Sequence, residues 1–232
     1  MLTRFKLVFD DMRRKHVWCM ALHPTKPVLA TGHQDAKIRT WDISGSKPKA
    51  IAEWVAHQTH VCTVEFSPDG KHLYSGGWDH KTNRWTSDDS WESEPETKVL
   101  IATHEDFVRS IACSLDGRFV ASGGQAGQIL LRDAEDLDQP MSLMHPGDPK
   151  PMKNSNHPRT PNSLQFSRDG KRLLSADGGG RVTIWSMPEG NIEKTWQLAG
   201  WVLSAQFVSN ETMIATANYD GTVFLLKTPE AD

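Results

Sequence analysis

Ser67-Pro68-Asp69-Gly70-Lys71-His72-Leu73-Tyr74-Ser75-Gly76-Gly77-Trp78-Asp79-His80-Lys81-Thr82-Asn83-Arg84-Trp85 reads as a turn, a strand, a second turn and another strand. Asp69-Gly70 stands between two alternating apolar runs, Val61–Ser67 and His72–Ser75. Glycine supplies the positive φ that such a hairpin turn needs, so the pair predicts antiparallel neighbours. The turn at Asp79-His80 leads into a third run, Thr82–Thr86.

Working outward, the same pattern occurs four more times. First runs are Val17–His23, Val108–Ser114, Asn162–Ser167 and Val202–Ser209. Second runs are Val28–Thr31, Phe119–Ser122, Arg172–Ser175 and Met213–Thr216, and third runs are Lys37–Asp42, Gln128–Asp133, Arg181–Ser186 and Thr222–Lys227. Ser114-Leu115-Asp116-Gly117-Arg118 and Ser167-Arg168-Asp169-Gly170-Lys171 repeat the first turn. A fourth run precedes each triplet: Thr3–Phe9, Lys49–Val55, Lys98–Ala102, Met141–Met144 and Ile192–Leu198. The positions Thr31, Ser75, Ser122, Ser175 and Thr216 are 44, 47, 53 and 41 residues apart. A period in the forties with four short strands per unit is the pattern of propeller blades, which must stack to bury their faces. The fold expected is all-β, a β-propeller of about five four-stranded antiparallel blades, with closure of the ring left open. It would occupy 1–232 as one domain, in units near 1–42, 43–86, 87–133, 134–187 and 188–228. Pairing of Thr3–Phe9 with the blade of Val202–Lys227 would remove two exposed edges.

These residues resemble the Trp-Asp (WD) repeat family over nearly the whole chain. The second unit carries the motif most fully: His57, Ser67-Pro68-Asp69-Gly70, Ser75-Gly76-Gly77-Trp78-Asp79 and Trp85. The first has Thr31-Gly32-His33-Gln34-Asp35 and Trp41-Asp42, with Arg13 aligned where the histidine would stand. The third keeps His104 and Ser122-Gly123-Gly124 but has Ala126 for the aspartate and Arg132 for the tryptophan. The fourth keeps His157, Ser175 and Trp185, with Gly179 for the aspartate, and the fifth, with Thr216, Asp220 and Leu226, is the most worn.

His57, Ser75 and Asp79 are the ingredients of an acyl-transfer triad. The resemblance implies instead that His57, Ser75, Asp79 and Trp85 form a structural network: indole N–H to serine, serine to histidine, histidine to aspartate. A nucleophile must face a pocket with an oxyanion hole, and the set recurs in part in several units, whereas an active site is needed once. No catalytic residue is assigned. His57, His60, His72 and His80 fall on turns, a strand start and loops, where convergence of three or four metal ligands is not expected.

Composition narrows the function classes. The net charge is −3, from 26 basic and 29 acidic residues. No basic run with interleaved aromatics points to nucleic acid, and no apolar stretch is long enough to predict a membrane span. Cys19, Cys62 and Cys113 show no Cys-x-x-Cys spacing, so reduced thiols in a cytoplasmic protein are expected. Met1–Arg14 lacks the apolar core of a signal peptide. No cofactor is predicted.

The resemblance also implies where a protein or peptide partner would bind. Positions flanking the first buried valine of each unit, and the one just before the turn aspartate, map to His16, Trp18 and Gln34, then His60, Cys62 and Trp78, then Phe107, Arg109 and Gln125. In the last two units they map to Thr160, Asn162 and Gly178, and to Trp201, Leu203 and Tyr219. Tryptophan, tyrosine and arginine dominate binding hot spots. The expected surface is therefore centred on Trp18, His60, Trp78, Phe107, Arg109, Trp201 and Tyr219. Two insertions, acidic Ser87–Glu96 around Trp91 and Pro-rich Met141–Pro161, are expected to be solvated loops. The reading is a protein-interaction scaffold. The alternatives are a propeller enzyme or small-ligand binder using the channel mouth, or a module of a larger repeat protein.

Overall fold

The computed structural model describes residues 16–87, 90–137, 141–144, 159–208 and 210–229. Among them every regular element is a strand and none is a helix. The chain divides into two compact units, Met1–Thr103 and His104–Asp232.

The first unit holds two antiparallel sheets. One is β1 (Val17–Leu22), β2 (Val28–His33), β3 (Lys37–Asp42) and β4 (Lys49–Val55), in that order; the other is β5 (Val61–Phe66), β6 (His72–Gly77), β7 (Lys81–Thr86) and β8 (Thr97–Thr103). β1 lies against β5. Val28, Ala30 and Ile38 meet Val61, Val64, Phe66 and Leu73 in one buried cluster, with Trp54, Trp85 and Trp91 beside them.

The second unit holds three sheets. They are β9 (Val108–Cys113), β10 (Phe119–Gly124), β11 (Gln128–Asp133) and β12 (Met141–Met144); β13 (Pro161–Phe166), β14 (Arg172–Asp177), β15 (Arg181–Ser186) and β16 (Asn191–Gln197); and β17 (Val202–Val208), β18 (Met213–Asn218) and β19 (Val223–Lys227). β9 lies against β13, and β13 against β17. One cluster joins Ile129 and Leu131 to Leu173 and Trp185, and another joins Leu174 and Ile184 to Val202 and Ile214. Within each unit the antiparallel sheets stack through their first strands, and the five sheets have the form of β-propeller blades, as the repeat pattern predicts.

Sequence unit and blade are offset by one strand. Lys49–Val55 opens the second sequence unit but pairs with Lys37–Asp42 of the first, and β8, β12 and β16 are shared the same way. Each blade is thus tied to the next by a continuous chain. The last triplet has no fourth strand among the described residues, and Thr3–Phe9, expected on its edge, lies outside them.

The Ser-x-Asp-Gly turns are built alike. Ser67 Oγ donates to Asp69 Oδ1 (2.6 Å) and accepts from His72 N (2.9 Å), while Gly70 N donates to Ser67 O (2.9 Å). Ser114 and Ser167 repeat these bonds. Gly70 has φ +76°, and a Cβ there would run into the His23 ring, so both backbone conformation and packing require glycine.

Two expectations about loops need correction. Trp91, in the acidic insertion, is fully buried: its Nε1 donates to Gly70 O (2.9 Å), and its carbonyl accepts from Thr40 Oγ1 (2.8 Å). It stacks on Trp54 and meets Phe66 edge-on. An indole offers too much apolar area to leave in water when a slot beside β3 can take it. In the Pro-rich segment, Met141–Met144 is the strand its place as a fourth run predicts and not part of a loop, with Leu143 buried opposite Ile129, and Pro161 opens β13. Residues 145–158 lie outside the described residues.

Candidate functional site

The first strand of every blade carries a bulge at the same place. Pairing skips Trp18 between Val17 and Cys19, Cys62 between Val61 and Thr63, and Arg109 between Val108 and Ser110. It likewise skips Asn162 and Leu203. A bulge inserts one residue against none and re-aims its side chain. Beside each bulge runs one backbone bond of constant spacing: Gln34 N to His16 O, Trp78 N to His60 O, Gln125 N to Phe107 O, Gly178 N to Thr160 O and Tyr219 N to Trp201 O, at 2.8–3.1 Å. The positions mapped from the repeats thus occupy the same hairpin end in each blade. The bulge is the physical reason, and it has no residue signature of its own.

In the first unit the structure brings three of the named residues together. His60 stacks on Trp78 (centroids 4.3 Å apart, planes 10° apart), and Trp18 meets His60 at 5.9 Å and Trp78 at 5.8 Å. Trp18 is 46% exposed. In the second unit Trp201 stacks on Tyr219 (5.1 Å, 26°), and Tyr219 is 59% exposed. Phe107 and Arg109 are half-buried at the start of β9. These rings offer rigid apolar area that is half in water.

The four network residues are also in contact. Trp85 Nε1 donates to Ser75 Oγ (2.8 Å), Ser75 Oγ lies 2.8 Å from His57 Nε2, and His57 Nδ1 lies 2.8 Å from Asp79 Oδ1. Burial pushes the Asp79 carboxyl up, but the bond and charge of His57, with N–H groups of Gln58 and Lys81, outweigh it and hold it at about 2. An ionised carboxylate only accepts, so His57 Nδ1 carries a proton. Ser75 Oγ accepts the indole N–H and shares one further hydrogen bond with His57 Nε2. Every donor finds one acceptor along the chain. The distances match those of a catalytic triad, yet Ser75 has no exposed surface and its oxygen is taken by the indole, so no carbonyl carbon can reach it. Gly77 leaves room for the ring: a Cβ there would sit 2.6 Å from His57 Nδ1.

Other blades solve the same problem differently. In the first, His33 within β2 places Nε2 2.8 Å from Thr31 Oγ1, which also accepts from Trp41 Nε1 (2.8 Å). The histidine is supplied by the strand itself, which alignment at Arg13 did not reveal. Asp35 turns instead to Arg39 Nη2 (2.6 Å). In the third, His104 Nε2 lies 2.8 Å from Ser122 Oγ. In the fourth, Trp185 Nε1 donates to Ser175 Oγ (2.7 Å), and fully buried Asp177 takes the turn's N–H groups from Gly179 and Arg181 and the Arg181 guanidinium. The acid has moved two residues upstream of Gly179, where spacing alone does not look for it. Among the described residues no three His, Cys, Asp or Glu side chains gather as metal ligands.

Comparison with known proteins agrees with this geometry. The model of the WD40 family (WD domain, G-beta repeat) matches residues 9–42, 48–86, 96–133 and 150–186; β17–β19 lies beyond the match. Curated relatives include the probable cytosolic iron-sulfur protein assembly protein 1 of Eremothecium gossypii, 32% identical over 105 residues, 45% of this chain and 32% of that protein. The periodic tryptophan protein 2 homolog of Schizosaccharomyces pombe is 26% identical over 203 residues, 82% of this chain and 23% of that protein. The WD repeat-containing protein 26 homolog of Drosophila melanogaster is 28% identical over 175 residues, 72% and 24%. The chain spans less than a third of the length of each. Four matched repeats, covering more than half of the sequence, place it by descent as well as by shape: the chain belongs to the WD40 repeat family.

Proposed function

We propose that this chain is a non-catalytic protein-interaction module that takes a protein or peptide partner on the bulged ends of its first strands. The contact residues are Trp18, His60 and Trp78 in the first unit and Phe107, Arg109, Trp201 and Tyr219 in the second. The observation that carries the reading is the bulged hairpin end repeated in all five blades, beside which the partly exposed rings of Trp18, His60 and Trp78 cluster in the first unit and those of Trp201 and Tyr219 stack in the second. Such rings bury large area at low entropy cost. The network of His57, Ser75, Asp79 and Trp85 serves the blade, not chemistry. Work in the cytoplasm is supported by three free thiols and by a relative named for cytosolic assembly.

The test starts from a partner captured from the native host and verified with purified components. Trp18→Ala and Tyr219→Ala remove the two most exposed rings of the set. Each is expected to weaken binding at least about thirtyfold, the effect of a hot-spot truncation of about 2 kcal/mol, with the melting curve unchanged. Normal binding by both variants would refute the assignment.

A further inference from the structure

A second feature, apart from the aromatic ends, lies within the first unit. A pocket of about 680 Å³ opens beside the first blade, lined by Met20, Leu22, Leu29, Ile43 and Pro48, with Glu65 of β5 as its acid. The volume is in the range of pockets that hold drug-sized ligands, larger than one side chain fills. Met20 and Leu22 are 71% and 64% exposed, an apolar surface that water contacts at a cost. Among the described residues the Glu65 carboxylate has no hydrogen bond and no basic neighbour that offsets its burial, which pushes it up to about 7. An acid in apolar surroundings without a cation is held at an energetic disadvantage, and an arriving cation would remove it.

We propose that this pocket is a docking site for a lysine side chain flanked by apolar residues on a partner protein. Charge complementarity and shape choose the occupant. Lysine lays four methylenes along apolar surface and carries a compact ammonium at the tip. Its stem would run over Met20, Leu22 and Leu29 and its ammonium would meet Glu65, while the flanking apolar residues fill the remaining volume toward Ile43 and Pro48.

The probe is the peptide acetyl-Leu-Lys-Leu-amide, titrated into the whole chain while the methionine methyl signals are followed by NMR. Its control is the same peptide with norleucine in place of lysine, which keeps the stem and loses the charge. The lysine peptide is expected to shift the Met20 methyl and to bind at least about tenfold tighter than the control. In Glu65→Gln that ratio should fall to about one. Leu22→Asn, at an exposed position that costs little in folding, removes apolar lining without adding charge and should weaken binding of both peptides. Equal affinity of the two peptides for the unaltered protein would overturn the proposal. So would an unchanged ratio in Glu65→Gln, or no Met20 shift at tens of millimolar peptide. None of these readings depends on the aromatic ends.

Discussion

Ser75 is the position where one atom holds the most. Its Oγ takes the Trp85 indole N–H and sits 2.8 Å from His57 Nε2, in a site with no exposed surface. Ser75→Ala removes that oxygen and leaves two buried polar groups without their partner. The space vacated is too small for a water molecule, so each group loses its bond outright, at about 1–3 kcal/mol. The variant should therefore lose about 2–6 kcal/mol. Ser122 is the internal control. Its Oγ meets His104 Nε2 at 2.8 Å in an equally closed site, but Arg132 stands where the tryptophan would be. Ser122→Ala should strand one group and cost about 1–3 kcal/mol. Urea denaturation followed by tryptophan fluorescence reads both, and the ordering is the decisive result. If the two serines cost the same, the Trp85 bond contributes nothing and the network argument fails. A hydrolase activity lost in folded Ser75→Ala would instead overturn the structural role.

Trp85→Ala, at a residue 4% exposed, should lose about 3–5 kcal/mol through cavity formation, read in the same denaturation experiment. Asp79, held at about 2 against an ordinary 3.8, contributes stability that is present above pH 4 and is lost as the pH falls toward 2; melting curves of Asp79→Asn should lack that part of the acid transition. Gly77→Ala would push a Cβ against His57 Nδ1 and Asp79 Oδ1, at 2.6 and 2.8 Å, and should cost about 1–3 kcal/mol by overpacking, whereas Gly45→Ala, with nothing nearer than 3.8 Å, should melt like the parent.

The blades were legible because their determinants are local. Asp69-Gly70, Asp116-Gly117 and Asp169-Gly170 each set a turn whose geometry needs only the residues within it. The alternating runs then follow from the period of a strand. Every triplet of runs that lies within the described residues is a triplet of strands, and Met141–Met144, short and lying beside a Pro-rich stretch, still pairs with β11 because Leu143 completes the cover over Ile129. Local reading failed where the deciding partner is distant in sequence. Trp91 looked like a solvated loop residue because its neighbours are acidic. Its slot is made by Thr40, Trp54, Phe66 and Gly70, between 21 and 51 residues away, and no window around Trp91 contains them.

The candidate site shows the same division at finer scale. A motif read by position sees residue types at fixed spacing, whereas a hydrogen-bond network requires only that donors and acceptors meet. His33 reaches Thr31 from two residues along its own strand, and Asp177 reaches the turn N–H groups from two residues ahead of the expected place. Position-by-position comparison scores each blade as lacking one residue of the motif, the histidine in the first and the aspartate in the fourth, while the physical requirement of a satisfied buried hydroxyl or turn is met in each. The bulged ends behave in the opposite way. There the backbone is constant, with one skipped residue and one cross-hairpin bond per blade, and the side chain varies from Trp18 to Cys62, Arg109, Asn162 and Leu203. Variation at a position whose backbone is held fixed in five copies is what a surface needs if each blade is to offer a different contact to one asymmetric partner. A purely structural position would instead repeat its side chain, as the serine or threonine at 31, 75, 122, 175 and 216 does. The contrast between those two sets of five, one fixed in chemistry and one fixed only in geometry, is the pattern on which the proposed binding surface rests.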